Sequence, residues 1–212
     1  MSNGLDKQLK ELNEEMIKMG TLIETAIGLA INALVNQDIE KAKKAVAFDD
    51  QIDDQEKKIE DKCLKLLLRQ QPVAKDLRVI SSALKMITDM ERIGDHASDI
   101  AEITILLSKE EELKILAPIK EMAKETTCMV IDSIDAFVNR DTALAKKVIK
   151  QDDKVDILFS QLKNEIVKLI NANEEDGEQA LDLLMIGKYF ERIGDHATNI
   201  AEWVIFSITG EH

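Results

Sequence analysis

Apolar residues recur every three or four positions along most of the chain, which is the spacing of amphipathic helices. The first such stretch covers about residues 5–36. A second is expected to begin after Asp38, whose side chain can cap a helix N-terminus, and to end near Gln70. Pro72 then interrupts the pattern, because proline disfavours the helical conformation in the residue before it.

The same periodicity predicts four further helices. They cover about residues 73–108, 118–139, 142–171 and 178–207. Asp141 precedes the fifth helix as a second candidate cap. An acidic stretch at 109–113 separates the third helix from the fourth, and a turn at 173–177 separates the fifth from the sixth. The whole pattern is helical, and no segment alternates as a strand does.

One seven-residue sequence, E-R-I-G-D-H-A, occurs twice, at 91–97 and at 191–197. Such an identity at a separation of 100 residues indicates that one half of the chain duplicates the other. The predicted fold is therefore all-α, with six long helices forming two pseudo-symmetric three-helix bundles. Residues 1–110 form the first predicted unit and residues 111–212 the second.

The composition agrees with this fold, and the net charge disfavours some classes of binding partner. Only 2 Pro, 8 Gly and 3% aromatic residues are typical of long helices rather than sheets. A net charge of −13 disfavours binding to nucleic acids and anionic lipids. No apolar run approaches the ~20 residues of a membrane span, so direct membrane insertion is not expected. The expected location is the cytoplasm. Cys63 and Cys128 lie in apolar helical patterns and are expected to be buried free thiols.

Four carboxylate pairs at spacing i and i+4 fall at repeat-related positions: Asp49 with Asp53, Glu91 with Asp95, Asp152 with Asp156, and Glu191 with Asp195. Residues at this spacing share one helix face. At ~100° per residue, the pairs project onto apolar stripes, such as Ala42, Val46, Leu64 and Leu67 on the second helix and Ala145, Ile149, Val167 and Ile170 on the fifth.

Carboxylates that face a neighbouring helix cost free energy unless a cation neutralises them. Arg92 and Arg192 project ~100° away from the first carboxylate of each repeat. The predicted solution is a multivalent ion between the second and third helices of each half. Carboxylate oxygens suit Mg²⁺, Mn²⁺ or iron. The alternative is that the pairs lie on solvated faces of a chain in which 33% of residues are charged.

The repeated sequence also contains a glycine and a histidine that need an explanation. Gly94 and Gly194 each cost about 1 kcal/mol of helix stability relative to alanine, and close approach of a neighbouring helix would account for them. His96 and His196 project ~140° from the carboxylate line and are expected to be hydrogen-bonded structural residues. The sequence has no Glu-x-x-His pair, glycine-rich phosphate loop or H-E-x-x-H motif.

These residues make the sequence similar to the PhoU family, the accessory proteins of phosphate transport that regulate the bacterial phosphate response. The resemblance covers nearly the whole chain. Besides the repeated sequence, it rests on Q-P-V-A-K-D-L-R at 71–78 and on F-D-D-Q-I-D at 48–53. It implies a six-helix, two-bundle fold. It also implies metal clusters held by the four carboxylate pairs, and no enzymatic activity.

The resemblance implies that the chain couples the phosphate ABC transporter, through its ATPase subunit, to a sensor histidine kinase. A homodimer is expected as well. The two halves differ, because Asn199 replaces Asp99, and Phe159 and Lys163 replace Glu56 and Glu60; a weaker second metal site is therefore predicted. The alternative function is a carboxylate-bridged metalloenzyme, an oxidase or a phosphohydrolase, since paired ions can activate water.

Overall fold

The computed structural model describes residues 2–70, 72–108, 116–172 and 177–211. Within these residues the chain forms six helices and no strands, as the periodicity predicts. The helices are α1 Ser2–Asn36, α2 Ile39–Gln70, α3 Ala74–Leu107, α4 Ala117–Asn139, α5 Thr142–Ala172 and α6 Gly177–Thr209. The predicted acidic boundary at 109–113 lies outside the described residues, as does all of the predicted turn at 173–177 except its last residue.

The α1–α2 and α4–α5 connections are equivalent in the two halves, and in each of them one helix ends and the next begins. Gln37 and Arg140 adopt positive φ angles of 52° and 54°, the left-handed conformation that terminates a helix. The predicted caps follow at once: the amide of Lys41 donates to Asp38 Oδ1 at 3.0 Å, and that of Leu144 donates to Asp141 Oδ1 at 3.0 Å. Both caps are confirmed, since each carboxylate satisfies an amide that the helix leaves unpaired.

The helices pack as two groups of three. Each of α1, α2 and α3 contacts the other two, and so does each of α4, α5 and α6. The most extensive contact in the molecule is α3 against α6, whereas α1 and α4 meet least. The six-helix, two-bundle prediction is confirmed, and the halves join through the two helices that carry the repeated sequence. The predicted division after residue 110 lies outside the described residues and stays a prediction.

The buried positions of α2 and α5 repeat every seven residues. On α2 they form two rows: Ala45, Ile52, Ile59 and Leu66, and Ala42 and Cys63 with Asp49 and Glu56 between them. Positions that repeat every seven residues drift around an ideal helix by ~20° for each seven residues. The stripes projected at ~100° per residue are therefore wrong at Leu64 and Val167, which are exposed, whereas Leu67 and Ile170 pack partly buried against the core.

Two expectations need correction: that both cysteines are buried, and that no apolar run is long enough for a membrane span. Cys63 is buried, and burial raises its pKa to about 12, but Cys128 is exposed on α4. One helix, α1, is apolar and long enough over Gly4–Asn36 to cross a membrane by composition alone, with 44% of its most apolar window buried in the bundle. Between Met19 and Asn36 the only charged residue is Glu24.

Candidate metal centre

The first candidate site forms where α2 crosses α3 at Gly94. A Cβ atom at Gly94 would lie 2.8 Å from Ile52 Cδ1 and 3.0 Å from Asp49 Oδ1. The first separation is shorter than real Cβ contacts and the second is at the tight end of their range, so glycine at position 94 lets the two helices approach without displacing Ile52 or Asp49. The close approach predicted for this glycine is confirmed, and it brings the carboxylate of Asp49 against the backbone of α3.

The second half repeats this arrangement between α5 and α6. A Cβ atom at Gly194 would lie 3.2 Å from Asp152 Oδ1 and 3.6 Å from Val155 Cγ1. Asp152 and Val155 are the repeat equivalents of Asp49 and Ile52. The geometry is slightly more open than in the first half, yet it places the same carboxylate against the same glycine. Two equivalent sites therefore follow from one duplicated helix pair.

Asp49 is the most perturbed carboxylate of the first site. Its pKa is raised to about 6, first by burial and then by the charges of Asp95 and Asp53. Its Oδ1 atom is buried and accepts no hydrogen bond from the described residues. A buried carboxylate oxygen without a partner is unfavourable. Asp49 therefore needs a proton or a cation.

The other carboxylates of the first site surround Asp49 from both helices. Burial raises the pKa of Glu91, as does the charge of Asp95. Glu56, one seven-residue step after Asp49, also has a pKa raised by burial and by Glu60 and Asp53. Sequence reasoning recorded Glu56 only as a difference between the halves. Its place in the seven-residue row marks it as a member of the site.

Arg92 neutralises part of this charge, contrary to the expectation that it points away. Its Nη1 donates to Asp95 Oδ2 at 2.8 Å, and its Nε lies 3.4 Å from Glu91 Oε2. The helical projection was wrong here because it describes where the Cβ atom points. The long arginine side chain bends back along the helix surface and reaches both carboxylates.

In the second site the pKa of Asp152 is raised to about 6, first by burial and then by the charges of Asp195 and Asp156. Burial also raises the pKa of Asp195, with Glu191 adding to the shift and Lys188 opposing it. Asp156 and Asp195 are exposed, whereas Asp152 and Glu191 are half-buried. The four predicted residues therefore face one region, but Asp152 alone is held deep against α6.

The second site has fewer acids and more cations around it than the first. Lys188 pairs with Glu191, and its Nζ lies 5.5 Å from the ring centroid of Phe159. Lys163 Nζ lies 5.1 Å from the same ring. Phe159 and Lys163 stand where the first half has Glu56 and Glu60, and Lys188 stands where it has Thr88. Sequence reasoning missed Lys188, although the 100-residue offset makes it visible as a change from threonine to lysine.

The two histidines point to the junction of α3 and α6 and are hydrogen-bonded, as expected. Their rings lie 5.5 Å apart. His96 Nδ1 is 3.3 Å from Asp99 Oδ2 on its own helix, whereas His196 Nδ1 is 2.8 Å from Asp89 Oδ1 on α3. Asn199 also donates to Asp89 Oδ1, at 3.0 Å. His96 therefore pairs within its own helix, whereas His196 and Asn199 both reach from α6 to α3.

The donor set suits a hard cation. It consists of carboxylate oxygens, the ligands that Mg²⁺, Mn²⁺ and oxygen-bound iron prefer, and it includes the orphaned Oδ1 of Asp49. In the described parts of the chain, however, no three His, Cys, Asp or Glu side chains converge as ligands of one ion. Binding an ion therefore requires carboxylates of the two facing helices to rotate toward each other.

Metal-free protein is expected to lose stability as the pH rises from about 4 to about 6. Asp49 and Asp152 have pKa values of about 6 in the folded chain against an ordinary 3.8. In this window the folded state holds protons that the unfolded state has released, so the free energy of unfolding falls with pH and stays low above pH 6. After solvent screening we expect the free energy of unfolding to fall by roughly 1 kcal/mol for each of the two aspartates. Together they should lower Tm by about 4–8 °C.

The measurement is thermal unfolding of chelator-treated protein between pH 4.5 and 7. Asp49→Asn with Asp152→Asn should flatten the profile, because neither side chain can then ionise. An unchanged pH profile in the double variant would show that other groups carry the effect.

The chain matches one family model, described as the PhoU domain, over residues 16–104 and 119–204. It is 40% identical to the phosphate-specific transport system accessory protein PhoU homolog of Clostridium acetobutylicum, over 97% of this chain and 94% of that protein. The protein of the same name from Aquifex aeolicus is 41% identical over 89% of this chain and 85% of its own length.

Solved structures agree with these relatives. The crystal structure of PhoU from Pseudomonas aeruginosa matches with a TM-score of 0.93 at 34% identity, covering 97% of this chain and 99% of that one. The phosphate transport system regulatory protein PhoU from Streptococcus pneumoniae matches with a TM-score of 0.90 at 28% identity, covering 98% of each chain. The similarity therefore extends over the whole fold, with both halves matched.

Proposed function

The chain belongs to the PhoU family, and from that premise we propose that it regulates phosphate uptake and represses the phosphate-starvation response. The observation that carries the proposal is its 40% identity, over 97% of its length, to a protein named for an accessory role in phosphate-specific transport. Such names describe assistance to a transporter and not a catalysed reaction. The chain is accordingly an accessory protein and not an enzyme.

Its mode of action, in this proposal, is that of an adaptor. The sequence has no glycine-rich phosphate loop with which to bind a nucleotide, and its net charge of −13 disfavours nucleic acid. A protein with these properties acts on transport and transcription by binding the proteins that carry them out. The partners proposed are the ATPase subunit of the phosphate ABC transporter and the phosphate-sensing histidine kinase, both reached from the cytoplasm. A homodimer remains a prediction.

The acidic faces are proposed to bind Mg²⁺, Mn²⁺ or iron. Asp49, Asp53, Glu91 and Asp95 would hold the ion in the first half, and Asp152, Asp156, Glu191 and Asp195 in the second. A bound cation supplies positive charge that offsets the repulsion among these carboxylates. Asp49 and Asp152, fixed against Gly94 and Gly194, orient the inner part of each face. Lys188 supplies positive charge in the second half, which supports weaker metal binding there.

Asp95→Ala with Asp195→Ala is expected to lower bound metal in both halves and to weaken binding to the ATPase subunit. Asp95→Ala removes a carboxylate whose charge raises the pKa of Asp49 on the facing helix. Asp195→Ala removes the one that raises the pKa of Asp152. Helical content should stay nearly unchanged, because Asp95 is half-buried and Asp195 exposed. The measurements are elemental analysis of protein purified without chelator and binding to the purified ATPase subunit.

Glu102→Ala with Glu202→Ala is the matched control. These residues lie seven positions further along the same helices and are exposed in both halves, so metal content and partner binding should not change. Equal metal in the wild type and the Asp95/Asp195 variant would refute the metal assignment. The single variants test the asymmetry, and the larger loss of metal is expected from Asp95→Ala.

A further inference from the structure

An open groove runs between α1 and α4, apart from the carboxylate faces on the other four helices. Three adjoining cavities of about 180, 380 and 220 Å³ form it. The first and second share Glu24, and the second and third share Ile31 and Val35. The cavities are therefore consecutive parts of one groove.

The groove has the length and the lining of a seat for one helix. Its α1 wall extends from Ile17 to Asn36, a distance of about 28 Å at the helical rise per residue. Apolar residues line both ends: Ile17, Ile131, Ile134 and Val138 at one, and Leu34, Val35, Ile119 and Ala123 at the other. In the middle, a Cβ atom at Gly28 would have no heavy atom within 4 Å, so the groove is open there.

The exposed face of α1 beside this groove is depleted of charge. Its exposed residues after Gly20 are Thr21, Glu24, Thr25, Gly28, Asn32, Val35 and Asn36. Only Glu24 is charged, in a chain where 33% of residues are charged. A solvated face of such a chain should carry several lysines and glutamates. Depletion of charged residues is instead typical of the centre of a protein interface.

The few charges in the groove are arranged by sign. Glu24 and Asp135 line the same cavity, and neither has an ion pair with any described residue. Lys120 lines the cavity at the opposite end. Two acidic side chains facing one apolar cavity favour a cation between them, and the described lining of that cavity contains no basic residue. An occupant with a basic residue at this end satisfies that requirement.

We propose that the groove binds an amphipathic helix of a partner protein, with Lys or Arg beside Glu24 and Asp135 and an acidic residue beside Lys120. Apolar side chains at i, i+3, i+4 and i+7 of that helix fill the three cavities, as in other helix-in-groove complexes. A second copy of this chain is a poorer occupant, because its net charge of −13 would oppose the acidic end. The inference rests on the proposed adaptor function for the partner's identity only.

Gly28→Gln blocks the groove without disturbing the core, since Gly28 is exposed and has open space around it. Gly4→Gln is its matched control, because Gly4 is also exposed on α1 with nothing within 4 Å, yet lies outside the groove. The probe is a fluorescein-labelled amphipathic peptide of about 18 residues, long enough to span the groove as a helix. It carries lysines at one end, and a second peptide carries glutamates at those positions.

Fluorescence anisotropy should show that the lysine peptide binds the wild type and the Gly4→Gln variant equally. Gly28→Gln should weaken this binding at least tenfold, and Glu24→Gln with Asp135→Asn should remove the preference over the glutamate peptide. The purified ATPase subunit and the cytoplasmic part of the kinase are then tested with the same variants. The partner that loses binding to the Gly28→Gln variant, but not to the Gly4→Gln control, is the one that supplies the helix.

The outcomes separate this inference from the proposed function. Peptide binding that depends on Gly28, with no binding of either partner protein, supports the groove and refutes the adaptor. Partner binding that Gly28→Gln leaves unchanged refutes the groove and preserves the adaptor. A dimer in sedimentation equilibrium that only Gly28→Gln dissociates overturns the inference in favour of a second copy. Binding to phosphatidylglycerol vesicles that only Gly28→Gln abolishes overturns it in favour of a lipid surface.

Discussion

Deletion of the gene for this chain is expected to switch on phosphate-starvation genes in phosphate-rich medium. In the proposed adaptor role, the protein reports adequate phosphate by contacting both the transporter's ATPase subunit and the kinase. Without it, the kinase lacks this signal whatever the supply of phosphate. The measurement is the activity of a starvation promoter fused to a reporter, compared in high and low phosphate with and without the gene.

Complementation assigns the effect to particular surfaces. The wild-type gene and the Glu102→Ala, Glu202→Ala control should restore repression. Asp95→Ala with Asp195→Ala should restore it only partly if the acidic faces take part, at equal protein levels. A deletion strain that represses these genes normally in high phosphate, in a host with no second copy, would contradict the regulatory role.

Phe190→Ala is expected to lower the free energy of unfolding by about 4 kcal/mol, which corresponds to roughly 8–16 °C in Tm for a chain of this size. Phe190 is the largest of the fully buried side chains, with 0% exposure. It lies on α6, which packs against α3, α4 and α5, so no single neighbour can close the cavity left behind. Thermal or urea unfolding of purified protein measures the loss.

Leu68→Ala is the control for this measurement, because Leu68 is 83% exposed and its truncation should change stability by less than about 0.5 kcal/mol. Phe190→Leu should fall between the two, since it leaves a smaller cavity. A loss below about 1 kcal/mol for Phe190→Ala would mean that the helices of the second half collapse into the space. The core around Phe190 would then be less rigidly packed than the complete burial of this side chain indicates.

Most of the fold is predictable because helix-forming signals are local. Helix bounds, the caps at Asp38 and Asp141, and the duplication all depend on residues within a few positions of each other or on sequence identity. The carboxylate pairs are visible in the same way, since Asp49 and Asp152 stand at repeat-related positions and Gly94 and Gly194 lie in the repeated sequence; metal binding by them stays a prediction. The helical projection was less reliable, because the core follows a seven-residue repeat that the ideal helix period does not reproduce over several turns.

The sequence by itself therefore determined six helices, two equivalent halves and four carboxylate pairs. Only the structure showed which cations pair with those carboxylates, because a helical projection locates Cβ atoms and not the charged ends of long side chains. Arg92 bends back to Asp95, and Lys188 occupies the second site. His196 reaches Asp89 across 107 residues of sequence, and the α1–α4 groove joins both halves. The contact between His196 and Asp89 and the α1–α4 groove depend on how separately formed helices are placed, and no local pattern encodes that placement.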